Sequence, residues 1–355
     1  MTKVFFASIH PAPYVDTWIQ NINGICDLTV AYNYRKSAAK TWNNYVPTPG
    51  ICYEDIGIIT WLKSMLRCDY IILSGWHEKI NILSLIIAKI FCKKVAVFSD
   101  HPYEVKKYSI PWWKKKIILS LVPNIFCATH STINYYHKTF GYKDKNLYFF
   151  PYAYDQEIPD LSKYNEERNI QISSGSNIKL FVANNFRERK GYKCLYESLK
   201  ELSRQGLLNK FEITIAGSGE EFEYYSSLLH LLSKEIQLLG WIDNDVYSKQ
   251  MAETDIFVHA SNFEPFSIPP IDAMKRGKLL IASDGVKSTE QLLDNGINGF
   301  CFKSGNSSEL AAILSRILDS PSIIYKCGNT GKKDVDKMYN NQIYVNTLKK
   351  AIYVE

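Results

Sequence analysis

The stretch from residue 255 to residue 278 reads DIFVHASNFEPFSIPPIDAMKRGK. Ile256–Ala260 is a short apolar run of the kind that forms a buried strand. A helix is predicted to begin near Ile268, because Pro269 and Pro270 are tolerated only in a first helical turn. A strand that leads through a short loop into a helix is one repeat of a parallel α/β sheet.

The same alternation continues through most of the chain and predicts an α/β fold with two Rossmann-like, parallel-sheet domains. The other strands are predicted at Lys3–Ser8, Asp27–Ala31, Tyr70–Ser74, Lys94–Ser99, Asn124–Ala128, Asn146–Phe150, Ile178–Ala183, Phe211–Ala216, Ile236–Leu239 and Leu279–Ala282. The helices are predicted at Lys79–Phe91, from about Pro111, and at Tyr192–Gln205, Glu220–Ser233, Asp245–Ala252, Ile268–Arg276 and Ser307–Leu318.

A change to polar and charged residues after position 155 marks the expected domain boundary. We predict an N-terminal domain over 1–160, a linker over 161–177 and a second domain over 178–330. A helical segment over 331–355 could return to the first domain. Parallel sheets bind ligands outside the carboxyl ends of their strands, so a cleft between the two domains is the expected site.

Composition and charge narrow the possible classes of protein. The 355 residues are 46% hydrophobic and 22% charged, which is a globular balance. The formal net charge of +6 favours anionic partners in general. The basic residues do not form a long stripe with a recognised module, so no nucleic acid partner is expected.

The eight cysteines are scattered, with no CxxC pair and no histidine spacing suited to zinc. This pattern indicates reduced thiols of a cytosolic protein and no metal site. The N-terminal apolar run is too short for a signal peptide, and no run approaches the roughly 20 residues of a membrane-spanning helix. We expect a cytoplasmic protein that is either soluble or peripheral on the inner face of the membrane.

The helix that begins near Ile268 suggests an anion site. N–H groups around Phe266, Ser267 and Ile268 would face the cleft at the positive end of the helix dipole, where a pyrophosphate fits. Glu264 and Asp272 flank this start and could accept hydrogen bonds from sugar hydroxyls. In the alternative interpretation, Glu264 caps the helix and Asp272 is a solvated charge.

The spacing of Glu264 and Asp272, followed by Ala-Met-Lys-Arg-Gly, resembles the E-x7-E signature of glycosyltransferase family 4. The resemblance implies the GT-B fold, with two Rossmann-like domains that face each other across a cleft, and transfer with retention of configuration. It gives Glu264 a contact with the donor sugar and Asp272 a contact with the nucleotide ribose. Aspartate at the second position shortens the reach by one methylene, so the ribose contact would need a closer approach or a water.

Residues 182–191 resemble the family segment in which an arginine and a lysine bind the donor pyrophosphate. Lys190 matches the lysine, Asn185 stands where the arginine usually lies, and Arg187 could supply the missing charge. Arg189 is expected to be an ordinary loop charge.

Two further segments resemble donor-binding parts of the family. Gly217 lies in a G-x-G turn after a strand, a pattern that is usually only a tight βα turn. Ile242 lies in a stretch whose backbone meets the nucleobase in the family. In the first domain, Asp100 and His101 follow a strand where the family commonly has His or His-Asp, so either could bind the acceptor hydroxyl or take its proton.

These resemblances imply a retaining glycosyltransferase that uses a nucleotide-diphosphate sugar as substrate, with no cofactor and no metal. A glycan or lipid-linked acceptor, and a role in cell-surface polysaccharide synthesis such as lipopolysaccharide or capsule, are expected. The alternatives are a GT-B-fold epimerase of nucleotide sugars and a non-catalytic nucleotide- or sugar-binding protein.

Residues 106–119 combine five lysines with two tryptophans and an apolar end. This composition is typical of a segment that binds anionic headgroups and places aromatic rings at a membrane boundary. A core helix with a solvated lysine edge would have the same composition, so both interpretations stay open.

Overall fold

The computed structural model describes residues 1–35, 46–100, 102, 104–153, 158–290 and 292–353. The strands found in these ranges are β1 Lys3–Ser8, β2 Asp27–Tyr32, β3 Ile51–Cys52, β4 Tyr70–Ser74, β5 Lys94–Ser99, β6 Asn124–Cys127, β7 Leu147–Phe149, β8 Ile178–Ala183, β9 Phe211–Ala216, β10 Gln237–Gly240, β11 Ile256–His259, β12 Leu279–Ser283 and β13 Phe300–Phe302. The α-helices are α1 Pro13–Ile22, α2 Tyr53–Leu66, α3 Lys79–Ile90, α4 Ile110–Leu119, α5 His130–Phe140, α6 Ser162–Ser173, α7 Tyr192–Arg204, α8 Phe222–Leu232, α9 Asn244–Glu253, α10 Ile268–Lys275, α11 Ser307–Asp319, α12 Ser322–Met338 and α13 Asn341–Tyr353.

The strands form two parallel sheets. The first has the order β3-β2-β1-β4-β5-β6-β7 and the second the order β10-β9-β8-β11-β12-β13. The predicted fold class of two parallel-sheet α/β domains is therefore confirmed. In each sheet the strand order reverses once, between β1 and β4 in the first and between β8 and β11 in the second. Such reversal points are where parallel sheets bind ligands.

Each sheet is the centre of a compact unit with its own core. One unit contains the described residues up to 153 together with 339–353, and the other contains residues 158–338. Apolar side chains of β1, β4, β5 and β6 pack against α2, α3 and α5 in the first unit. In the second unit, the central strands pack against α7 and α11. No helix within the described ranges is both long and apolar enough to cross a membrane.

The predicted linker over 161–177 contains a helix, α6, that belongs to the second unit. Arg168 of this helix is 9% exposed and forms an ion pair with Asp255, with Nη2 and Oδ2 separated by 2.7 Å. The Tyr164 hydroxyl donates to the carbonyl of Glu253 at 3.0 Å. The segment is polar because its contacts with the sheet are made by hydrogen-bonding side chains, which composition alone does not distinguish from a linker.

The C-terminal segment divides between the two units. Residues 331–338 belong to α12 in the second unit, whereas α13 packs against α1 in the first. The hydroxyl of Thr347 donates to the carbonyl of Phe149 at 2.9 Å, and the Tyr344 hydroxyl donates to the carbonyl of Tyr152 at 3.2 Å. The final helix thus completes the first unit.

Candidate functional site

Two loops meet at the carboxyl ends of β8 and β11, where the order of the second sheet reverses. The loop over 184–191 follows β8, and the loop over 260–267 follows β11. The N–H of Asn262 donates to the carbonyl of Arg189 at 2.7 Å, and its side-chain amide donates to the carbonyl of Glu188 at 3.2 Å. The loops therefore form adjoining walls of one site, at a position where parallel sheets bind ligands.

Gly191 allows these loops to approach so closely. Its φ is +75°, and a Cβ at this position would lie 1.9 Å from the carbonyl oxygen of Ala260. Only glycine fits a left-handed backbone pressed against another main chain. The adjacent Lys190 is buried by this approach, with 9% of its surface exposed. The Lys-Gly pair therefore has a packing reason in addition to its predicted role in phosphate binding.

Glu264 accepts hydrogen bonds from two cations through one oxygen, Oε2. Lys190 Nζ is one donor, and the two side chains are 8% and 11% exposed. Arg189 Nη1 is the other, at 3.2 Å. Burial lowers the pKa of Lys190, and the Glu264 charge opposes this shift. The expectation that Arg189 is an ordinary loop charge is wrong, because the loop directs it to Glu264.

The loop after β12 fixes the backbone of Glu264. The Glu264 N–H donates to the carbonyl of Gly285 at 2.9 Å, and the Lys287 N–H donates to the carbonyl of Glu264 at 3.0 Å. A Cβ on Gly285 would lie 2.4 Å from the carbonyl oxygen of Asn262, so glycine is required there as well. Sequence analysis missed this role of Gly285, and its place three residues after a predicted strand was the available signal.

The start of α10 offers fewer N–H groups than expected. The Ser267 N–H donates to the hydroxyl of Ser288 at 3.3 Å instead of facing a ligand. Pro269 and Pro270 contribute no N–H. The Ser267 N–H is thus already hydrogen-bonded within the protein, and its contact with a donor stays a prediction. What α10 still provides is the positive end of its dipole, near Phe266 and Ile268.

Asp272 of α10 is completely buried and forms an ion pair with Arg276, the residue directly after this helix. Its Oδ1 accepts a hydrogen bond from Nε of Arg276 at 2.7 Å, and both side chains are 1% exposed. Arg276 also donates to the hydroxyl of Ser248 at 3.1 Å. The alternative of a solvated charge is therefore wrong. The ribose contact stays a prediction, and it would require α10 to open around Asp272.

His259 is a site residue that sequence analysis missed. It lies at the end of β11, is 1% exposed, and its Nε2 lies 3.3 Å from the hydroxyls of Ser261 and Ser267. Burial, with a smaller effect of Lys190 and Arg189, lowers the pKa of His259 to about 3. The ring is therefore neutral at physiological pH. A histidine inside an apolar strand carries no local sign that it contacts the serines of the candidate site.

The remaining donor-site candidates also lie at carboxyl ends of strands in the second sheet. Asn185 and Arg187 are exposed after β8, and the charge of Arg187 contributes to the lowered pKa of Lys190. A Cβ on Gly217 would lie 1.8 Å from the carbonyl oxygen of Asn184, so this glycine is explained by packing. Ile242 follows β10 and is half-buried. Their contacts with a donor stay predictions.

The first unit has a cavity of about 340 Å³ where the order of its own sheet reverses. Residues after β1, β4 and β5 line it, and aromatic rings form much of its wall. The aromatic lining residues are Tyr14, Trp18, Trp76, Phe98 and Tyr152, and the polar ones include His10, His77, Asp100 and Lys115. This combination offers both apolar ring faces and hydrogen-bonding groups to a ligand.

Asp100 is the carboxylate of this cavity. It is hydrogen-bonded to the hydroxyl of Tyr152, and burial together with the charge of Asp100 raises the pKa of Tyr152 far above its usual value. The same causes raise the pKa of Tyr14 to about 12. Both phenols therefore stay protonated and able to donate. His101, the other predicted acceptor-side residue, lies outside the described residues.

Comparison with known proteins identifies the second unit. Residues 163–334 match the protein-family model described as Glycosyl transferases group 1. An uncharacterized glycosyltransferase, MJ1607 of Methanocaldococcus jannaschii, is 25% identical over 192 residues, which are 54% of this chain and 48% of that protein. A glycogen synthase of Clostridium botulinum is 24% identical over 169 residues, which are 44% and 34% of the two chains. The chain thus spans about half or less of the length of these relatives.

Solved structures show the same fold over the whole chain. The Anabaena protein Alr3699/HepE, in complex with UDP, has a TM-score of 0.74 at 16% identity, with 99% of both chains covered. The lipopolysaccharide outer core galactosyltransferase WaaB in its apo form has a TM-score of 0.73 at 15% identity, again with 99% of both covered. The protein therefore has the two-domain fold of GT-B glycosyltransferases, and most of its second unit matches the glycosyltransferase group 1 model.

Proposed function

We propose that this protein is a retaining glycosyltransferase of family 4 that moves a sugar from a nucleotide-diphosphate sugar to an acceptor hydroxyl. The observation that carries the proposal is the buried pair of Lys190 and Glu264 at the reversal point of the second sheet. The family match over residues 163–334 supports the same reaction class. The acceptor in this proposal is a glycan or lipid-linked hydroxyl, in the synthesis of a cell-surface polysaccharide such as lipopolysaccharide or capsule.

The cations around Glu264 suit a diphosphate. Without a donor, Glu264 pairs with both Lys190 and Arg189, and Arg187 lies close enough to affect the pKa of Lys190. A bound diphosphate would take over these cations through charge-assisted hydrogen bonds. Glu264 would then be able to accept hydrogen bonds from the hydroxyls of the donor sugar. The complex of the similar HepE protein with UDP supports a nucleotide diphosphate as the donor group.

In the proposed mechanism, the acceptor oxygen attacks the anomeric carbon from the face that the nucleotide leaves. The bond between that carbon and the phosphate oxygen breaks, and the departing phosphate takes the acceptor proton. Lys190, Arg187 and the α10 dipole stabilise the charge that develops on the leaving group. Because these groups are cationic, the proposal includes no metal ion and no cofactor.

The acceptor part of the proposal rests on the cavity of the first unit. A sugar ring can pack an apolar face on the rings of Trp18 or Trp76, while Asp100 accepts a hydrogen bond from a hydroxyl. Tyr152 holds the Asp100 carboxylate in place. Contact of residues 106–119 with the inner face of the membrane would give access to a lipid-linked acceptor.

A screen of UDP-, GDP- and other nucleotide sugars for thermal stabilisation tests the donor site first. A ligand at about a hundred times its Kd should stabilise the fold by about 2.7 kcal/mol. Lys190→Ala should abolish the shift, whereas Lys193→Ala, an exposed lysine on α7, should preserve it. The proposed donor site is wrong if no nucleotide sugar stabilises the protein or if both variants respond equally.

The stabilising donor is then incubated alone and with candidate acceptors, and the products are followed by NMR. Transfer with the anomeric configuration of the donor supports the proposal. Conversion of the donor to an epimer without an acceptor identifies an epimerase instead, and binding without any turnover identifies a non-catalytic protein. If EDTA abolishes turnover and Lys190→Ala leaves it unchanged, the proposed metal-independent mechanism fails.

A further inference from the structure

The outer side of α4 carries large apolar side chains in solvent. Ile110, Trp113 and Ile117 follow one another at helical spacing and are 73%, 51% and 67% exposed. Tyr108, just before the helix, is 68% exposed. A cluster of this kind, rimmed by polar residues, marks an interaction site more often than an ordinary surface.

The core-facing side of α4 is occupied separately. Trp112 is 2% exposed, its Nε1 donates to the carbonyl of Thr139 at 3.0 Å, and its ring stacks on Phe140 with centroids 5.9 Å apart. Of the two tryptophans expected at a membrane boundary, only Trp113 is therefore available. Lys116 Nζ lies 5.3 Å from the centroid of the Trp113 ring, so a positive charge accompanies this exposed aromatic side chain.

Charge is segregated around this helix. Residues 79–143 contain eleven lysines and two carboxylates, Asp100 and Glu104, although the formal net charge of the whole chain is only +6. The rest of the chain is therefore net negative. The eleven residues are Lys79, Lys89, Lys93, Lys94, Lys106, Lys107, Lys114, Lys115, Lys116, Lys138 and Lys143.

Helix α3 adds to the same surface. The connections through α3 and α4 run in one direction across the first sheet, so right-handed crossovers place both helices on one face. On α3, Ile86 and Ile90 are 41% and 65% exposed, and Phe91 directly after it is 58% exposed. We call this surface, formed by the exposed apolar residues of both helices and the lysines among them, the α3–α4 face.

We propose that the α3–α4 face binds a bilayer that contains anionic lipids. The lysines would attract the headgroup phosphates, and Trp113 with the exposed isoleucines would enter the boundary between headgroups and acyl chains. A large excess of lysines over acids is complementary to an anionic surface, and the apolar residues suit the layer beneath it. The surface extends well beyond residues 106–119, and its binding does not depend on the proposed transfer reaction.

Co-sedimentation of the full chain with vesicles tests the proposal. We expect binding to vesicles of phosphatidylcholine with about a third phosphatidylglycerol, and much weaker binding to phosphatidylcholine alone or at high salt. Lys114→Glu with Lys116→Glu should weaken the partition coefficient at least about tenfold. Trp113→Gln with Ile117→Gln should weaken it by a similar factor, because it removes the inserting side chains.

Matched controls distinguish binding by the α3–α4 face from a general effect of removing exposed lysines or exposed apolar side chains. Lys349→Glu with Lys350→Glu changes two exposed lysines of α13 in the same unit and should preserve binding. Tyr224→Gln with Leu231→Gln changes residues of α8 that are 64% and 82% exposed, and should preserve it too. The proposal is overturned if the protein does not pellet with anionic vesicles, if it binds neutral vesicles equally, or if the controls lose as much as the α4 variants.

Discussion

Two of the buried acid–base pairs of the second unit, Asp272–Arg276 and Lys190–Glu264, differ in construction. Asp272 lies in α10 and Arg276 lies four positions further on, directly after the helix, and both side chains are 1% exposed. Lys190 and Glu264 lie 74 positions apart, on two loops at the carboxyl ends of neighbouring strands. A fully buried pair at one helix stabilises the packing around it, whereas a pair between two loops can exchange one partner for a ligand. Stability should therefore depend on the first pair and turnover on the second.

The largest effect is expected for Asp272→Ala. Removing this carboxylate leaves the buried Arg276 charge without its ion-pair partner, so the free energy of unfolding should fall by about 3–5 kcal/mol. Urea denaturation measures this change in the free energy of unfolding. Because the double variant Asp272→Ala with Arg276→Met removes both charges, it should recover much of the loss. A loss below about 1 kcal/mol for the single variant would contradict the structural role of this pair.

Lys190→Ala is expected to act on turnover. Losing a preorganised cation at the leaving group should lower kcat by about 10²–10³-fold. Unfolding should be affected less than by Asp272→Ala, because Arg189 still donates to Glu264. Steady-state kinetics with the stabilising donor measures the change, and Lys193→Ala is the control. If Lys190→Ala and Asp272→Ala lower the free energy of unfolding equally and Lys190→Ala leaves kcat unchanged, the two pairs do not differ in function.

His259 should make stability depend on pH. Its pKa is about 3 in the folded protein against about 6.5 unfolded, so the unfolded chain binds the extra proton between these values. The contribution is complete above pH 6.5 and is lost as pH falls toward 3. From pH 7 to pH 5, wild type should lose roughly 1–2 kcal/mol more than His259→Gln. Urea denaturation at each pH measures this loss. If the free energy of unfolding falls by the same amount in both proteins, His259 is not a buried, neutral histidine in the folded state.

The smallest effect is expected for Arg189→Ala. Its side chain is 41% exposed, so its bond to Glu264 should contribute less than about 1 kcal/mol to stability. We expect a rise of a few-fold in KM for the donor. Arg187→Ala, measured beside it, shows which arginine serves the diphosphate. If neither variant changes KM, the cationic part of the site is limited to Lys190.

Much of the fold was predictable because its signals are local. Buried strands such as β1, β4 and β8 are short apolar runs, and their predicted bounds agree with the structure. Short or polar elements were not: β13 has three residues, and α6 is held by contacts of Arg168 and Tyr164 with distant parts of the chain. Such contacts leave no periodic pattern in the sequence.

For the candidate site, the sequence by itself determined the loop residues at the strand ends, including Glu264, Lys190 and its glycine. It could do so because residue type, strand order and spacing are all written along the chain. The tertiary structure alone decided that Arg189 turns to Glu264, that Asp272 is sealed in a helix, and that Trp113 rather than Trp112 faces solvent. The physical reason is that burial and ion pairing depend on which distant segments pack together, and no local pattern of residues fixes that packing.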